Sequence, residues 1–191
     1  MSEVKGAAME LGTERICKLL VQYAVPAIIA MTASSLYNMV DSIFIGHGVG
    51  ALAISGLALT FPLMNLAAAF GSLVGVGAAT LVSMRLGQRD YETAQRILGN
   101  VVVLNLIIGI SFGLLTLVFL DPILYFFGAS DATIGYAREY MSVILWGNVV
   151  THMYLGLNAV LRAAGHPRKA MYATILTVTI NAILDPLFIF G

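Results

Sequence analysis

Charge is what this chain has least of. Only 10% of its 191 residues are Asp, Glu, Lys or Arg, against about 25% in soluble domains, while 59% are hydrophobic and the mean hydropathy is +0.91. Between Leu19 and Met84 the only charged side chain is Asp41, and from Ala170 onward the only one is Asp185. Stretches this long and this apolar exclude a soluble fold and require a membrane. The formal net charge of zero leaves no basic surplus to neutralise phosphates, which excludes nucleic acid as a partner. The single cysteine, Cys17, excludes an internal disulfide and a cysteine metal cluster, and reads as a small packing residue near a membrane surface. No Gly/Ser-rich or Pro-rich linker marks a domain boundary. A cleavable signal peptide is not expected: the first apolar run is longer than a signal core, is interrupted by Pro26, and continues to Gly46 without a small-residue cleavage site.

What is present is five apolar segments, at 16–46, 51–84, 97–120, 134–163 and 169–190, each long enough to span a bilayer. The expected fold is all-α, a polytopic membrane helix bundle behind a polar lead-in at 1–15, and the short connections predict antiparallel neighbours. Nine of the 10 Lys and Arg residues fall on alternate connections, with Arg138 alone on the other side. The positive-inside rule then predicts a cytoplasmic N-terminus, with the 46–50 turn and the 121–132 segment facing outward. In the second connection Asp90 can cap a short helix on which Glu92 and Arg96 pair at i,i+4, either an interfacial amphipathic helix or a solvated loop helix. The Gly-rich 46–50 turn lacks P-loop spacing, and His47, His152 and His166 show no metal-ligand spacing. Gly71, Gly75 and Gly77, among alanines 67–69, 78 and 79, predict a small face for close helix contact.

Against this background the polar residues within the spans carry the chemistry. Tyr37 and Asp41 are four apart and share a helix face, with Asn38 beside them; Asn181 and Asp185 repeat the spacing, with Thr177 one turn earlier. In lipid such stripes must turn toward other helices or water. Asn148, Thr151 and Asn158 form a third stripe at helical spacing, and the three could meet around one cavity. Desolvation destabilises a carboxylate's charged form, so a buried acid takes up a proton, or neighbouring oxygens cage a cation. Asp41, Asp185, Asn181, Thr177 and Asn158 supply oxygens for either H+ or Na+; the alternative is that they serve only as polar glue between helices. Pro26 frees the carbonyl of Gln22 and Pro186 that of Ala182, each marking a hinge or a fixed bend.

Four separated stretches, YNMVDSIFIGHGVGALAISGLALTFPL at 37–63, GVGAATLVSMRLGQRD at 75–90, LRAAGHPRKAM at 161–171 and TINAILDPLFIFG at 179–191, resemble in order and content the multidrug and toxic compound extrusion (MATE) family. The likeness runs from Ile16 onward. It implies a Na+- or H+-coupled exporter of organic, often cationic compounds, a secondary antiporter of the plasma (inner) membrane rather than an enzyme, built from two six-helix lobes around a central cavity. By the same resemblance Asp41, Asn181 and Asp185 are the ion-coupling residues, Tyr37 and Asn158 belong to the cavity of the N-terminal lobe, and Pro26 is the first-helix bend. Asn38 and Thr177 flank that cavity set. Five spans fall short of such a lobe, so a sixth helix and a second lobe are expected from the same or a separate polypeptide, and the chain alone is expected not to transport. Three other readings stand beside this one. A lipid-linked oligosaccharide flippase calls for cations in its cavity, and no Lys or Arg lies deep in a span. An intramembrane aspartyl protease calls for a Gly-rich acid motif that VDS and LDP lack. A non-transporting membrane scaffold calls only for a partner to cover the polar face.

Overall fold

Without water to satisfy them, backbone amides in a bilayer must bond within their own element, which favours helices for runs as apolar as these. The structure, a computed structural model, describes residues 14–48 and 51–190, with side chains except at 45–48, 51 and 185–190. Most of the lead-in, residues 49–50 of the expected turn, and the side chains of Asp185 and Pro186 therefore lie outside the described residues. Among the described residues every element is a helix: α1 (Ile16–Gly48), α2 (Ala51–Gly87), α3 (Tyr91–Val118), α4 (Leu120–Phe126), α5 (Ile134–Ala163) and α6 (Pro167–Phe190). Helices α1, α2, α3 and α5 are long and apolar enough to cross a membrane; α6 runs for 24 residues.

Three local features depart from the sequence-based expectation. Helix α1 continues through Gly48, so residues 46–48 are helical rather than a turn. Asp90 does cap a helix, its Oδ1 accepting from the Thr93 amide at 3.1 Å, and Arg96 Nη2 meets Glu92 Oε1 at 2.6 Å. That helix is not a separate short one, however. No proline interrupts the run from Tyr91, each further residue adds a hydrogen bond, and α3 continues to Val118. Beyond it, Phe119 leaves helical geometry (φ −107°, ψ 21°), and the segment toward α5 contains the short helix α4 rather than a plain connection.

Helices α2, α4 and α5 close with the same paired bonds. Asp90 N donates to Arg85 O and Arg89 N to Leu86 O; Ala129 N to Leu124 O and Gly128 N to Tyr125 O; His166 N to Leu161 O and Gly165 N to Arg162 O. This closure needs a left-handed residue after the helix. Gly128 (φ 97°) and Gly165 (φ 87°) supply it freely, whereas Arg89 (φ 62°) does so against its own Cβ.

Packing divides the helices into two groups. Helices α2, α3 and α5 form a three-helix bundle, while α1 packs mainly on α6 and only lightly on α2. The expected pairing of sequence neighbours is thus only a minor contact for α1, because a short connection tethers two helix ends without choosing which faces meet. The bundle has an apolar core at each end: Leu63, Leu124, Met141 and Leu145 toward α4, and Val82, Leu86, Val101 and Val160 toward the α2–α3 connection. Between these cores the helices approach closely on glycine. A Cβ on Gly75 would lie 2.6 Å from Gly156 Cα, and one on Gly71 would lie 3.1 Å from Leu155 Cδ1. Gly77, expected on the same small face, has nothing within 4 Å and lies off the interface.

Candidate functional site

The two helices that carry the isolated acids pack mainly on each other, with α6 also joined to α5. On α1, Tyr37 and Asp41 are half-buried and each engages a partner within the protein, while Asn38 is exposed and its carbonyl accepts from Ser42 Oγ at 2.8 Å. Pro26 is buried within the helix. On α6, Asn181 is half-buried and Thr177 is exposed, its hydroxyl donating to Ala173 O one turn back at 2.9 Å. The backbone of Asp185 and Pro186 continues the helix. Asp41 and Asn181 therefore sit on directly adjoining helices. Among the described residues no three His, Cys, Asp or Glu side chains cluster as metal ligands.

The third stripe does not join this pair as one face. Asn148 is buried in the three-helix bundle and donates through Nδ2 to Gly109 O of α3 at 3.0 Å. Thr151 is exposed, its hydroxyl 3.5 Å from Gly147 O of its own helix. Asn158 is buried against α6, where its Nδ2 donates to Ala170 O at 3.1 Å. Ten residues of α-helix turn Asn158 about 80° from Asn148, enough to aim one at α3 and the other at α6.

Asn158 belongs to a clasp between α5 and α6 whose other half is Tyr154 and Thr174. Tyr154 Oη and Thr174 Oγ1 are 2.6 Å apart, and Thr174 Oγ1 in turn donates to Ala170 O at 3.1 Å. Beside the clasp is a mostly apolar cavity of about 600 Å³, lined by Leu98 of α3, Tyr154, Asn158 and Leu161 of α5, and Lys169 and Ala173 of α6. Tyr154 and Thr174 stand 20 residues apart on different helices, so only the packed structure reveals the contact.

The opposite end explains the lone arginine on the minority side. Arg138 Nε donates to Asp121 Oδ1 at 2.7 Å and Nη2 to Oδ2 at 2.5 Å, a two-pronged pair that neutralises the charge. The Arg138 hydrogen bond holds the Asp121 carboxyl below its usual range. Nearby, the Tyr125 hydroxyl bonds Asp131 at 2.9 Å, and that bond raises the phenol above its ordinary value. At the other membrane face, the hydrogen bonds from Thr93 lower Asp90.

Long apolar helices with inward polar groups define a multi-pass helical membrane protein. The chain belongs to the MatE family, whose model matches residues 26–187. It is 31% identical over 176 residues to the multidrug export protein MepA of Staphylococcus haemolyticus (strain JCSC1435), covering 92% of this chain and 39% of that protein. It also resembles a solved structure of the MATE multidrug transporter DinF-BH in complex with R6G, at 37% identity and a TM-score of 0.88, covering 94% of this chain and 40% of that one. A crystal structure of MATE in the straight conformation matches at 30% identity and a TM-score of 0.83, covering 90% and 38%. The chain thus spans about two fifths of the length of the relatives it matches.

Proposed function

We propose that this chain forms part of a cation-coupled multidrug exporter of the plasma (inner) membrane, with its N-terminus on the cytoplasmic side. The observation that carries the reading is the packing of α1 on α6, the two helices that each hold one acid in an otherwise uncharged run. The multidrug export function named for its relatives supports the substrate class. In this reading Asp41, Asn181 and Asp185 offer oxygens to the coupling ion, Na+ or H+. Tyr37, Asn38, Asn158 and Thr177 border the path of organic, often cationic compounds, and Pro26 and Pro186 are the points at which the helix pair bends.

The chemistry follows from charge. Two carboxylates in low dielectric require a positive partner, and either the coupling ion or an organic cation can supply it. Loading one favours release of the other, and that exchange is antiport. Alternating access needs two helical sets that rock about a site between them, so export requires further helices, from the same or another polypeptide.

The test is efflux from membrane vesicles containing a transporter that includes this helical set. Asp41→Asn and Asp185→Asn are expected to abolish ion-driven efflux without reducing insertion. Collapsing the Na+ and H+ gradients separately identifies the ion. Efflux unchanged in both variants would sink the assignment.

A further inference from the structure

Midway along the α2–α3–α5 bundle, between its two apolar cores, lie side chains that the α1–α6 pair does not use. Asn105 and His152 are both fully buried, at 0% exposure. They occupy successive rungs of the α3–α5 interface, each seated on a glycine of the other helix. The Asn105 carboxamide fills the space a Cβ on Gly156 would need, with its Cγ 3.0 Å from that position; a Cβ on Gly109 would lie 3.5 Å from His152 Cβ and Cγ. Gly71 and Gly75 bring α2 against the same two rungs, at His152 and Gly156.

The hydrogen-bond inventory here is one-sided. His152 Nδ1 lies 2.9 Å from Asn148 O, and a carbonyl only accepts, so Nδ1 is the donor there; in the neutral ring this leaves Nε2 as an acceptor. Asn105 Nδ2 donates to Val101 O at 3.0 Å, which fixes the amide orientation and leaves Oδ1 as an acceptor. Among the described residues, Asn105 Oδ1 and His152 Nε2 are the two buried side-chain polar atoms without a partner. Both are acceptors, so neither can satisfy the other, and leaving both unmade in a bilayer is costly. What the pair lacks is a small molecule with two donor hydrogens.

We propose that one buried water bridges His152 Nε2 and Asn105 Oδ1 inside the α2–α3–α5 bundle. One helical turn separates the rungs by about 5.4 Å, and two hydrogen bonds of about 2.8 Å each span that distance. Polar partners on both sides distinguish such a site from a dry cavity. The water gives the centre of the bundle an exchangeable proton carrier separate from the acids of α1 and α6.

Solid-state NMR of the full chain in lipid nanodiscs, with ¹⁵N-labelled histidine and His152 assigned through Thr151 and Met153, tests this directly. The expected result is an Nδ1–H tautomer, an Nε2 resonance moved from the free-acceptor position toward the hydrogen-bonded one, and a cross-peak from Nε2 to water. In Asn105→Leu, which keeps nearly the same shape, the cross-peak should be lost while the tautomer stays. A wild-type Nε2 with no water correlation, or a doubly protonated ring, would overturn the proposal. So would a cross-peak undiminished in Asn105→Leu, since that water would not be a bridge.

Discussion

Replacing Gly75 by alanine should cost stability that the same change at Gly77, two residues away, does not. The new Cβ at 75 would lie 2.6 Å from Gly156 Cα and 3.0 Å from Gly156 O. Carbon atoms in contact prefer about 3.5–4.0 Å, so α2 and α5 must part by about 1 Å. The obstacle is backbone on both sides, and no rotamer can relieve it. At Gly77 the methyl group meets nothing within 4 Å. Both substitutions gain the same helix propensity, about 0.8–1.0 kcal/mol, which cancels in the comparison. The difference isolates the clash, and overpacking of this kind costs about 1–3 kcal/mol. Gly75→Ala should therefore unfold more readily than Gly77→Ala by about 5- to 150-fold in the equilibrium constant, measured by titrating SDS into mixed micelles. Unfolding curves that agree within about 0.5 kcal/mol, below the smallest expected overpacking cost, would refute the close-packing argument.

Other outcomes follow from separate parts of the fold. Arg89→Gly should stabilise the chain by about 1 kcal/mol, because glycine removes the Cβ penalty of the left-handed closure of α2; a thermal shift in detergent reports it. Because Arg138 depresses Asp121 in the fold, the stability this pair contributes is present above the unfolded carboxylate value and is lost as pH falls through the lower folded value. Amide exchange in α4 should accordingly rise as pH drops below about 3.8, after correction for intrinsic rates, and Asp121→Asn should flatten that response. Tyr154→Phe removes the hydroxyl between α5 and α6, at an expected cost of about 0.6–1.7 kcal/mol; an unchanged unfolding midpoint would show that Asn158 holds the clasp alone.

The helical character of the apolar segments, the Asp90 cap and the Glu92–Arg96 pair rest on local chemistry, and the sequence alone was enough to read them. Faces were legible only as faces. The spacing of Asn148 and Asn158 placed both on α5, yet their bonds run to α3 and α6 respectively. Gly71, Gly75 and Gly77 looked equivalent because composition cannot tell which of three small residues meets a neighbour. Asn105 stands in an apolar run without a polar companion, and His152 drew notice only for lacking metal-ligand spacing. Their joint burial depends on Gly109 and Gly156 lying opposite them, a relation that exists only once two helices dock. Asp41 and Asp185 were conspicuous because an isolated charge in an apolar run is visible at any alignment of helices.

The packing of α1 against α6 also has a consequence in time. From the end of α1 at Gly48 to the start of α6 at Pro167 the ribosome must add more than one hundred residues. At about 5–20 residues per second, this takes about 6–24 s. During that interval α1 must reside in the insertion machinery or the bilayer with Asp41 and no α6 beside it. The stage most sensitive to a defect in α6 is therefore biogenesis, when α1 still waits for its partner.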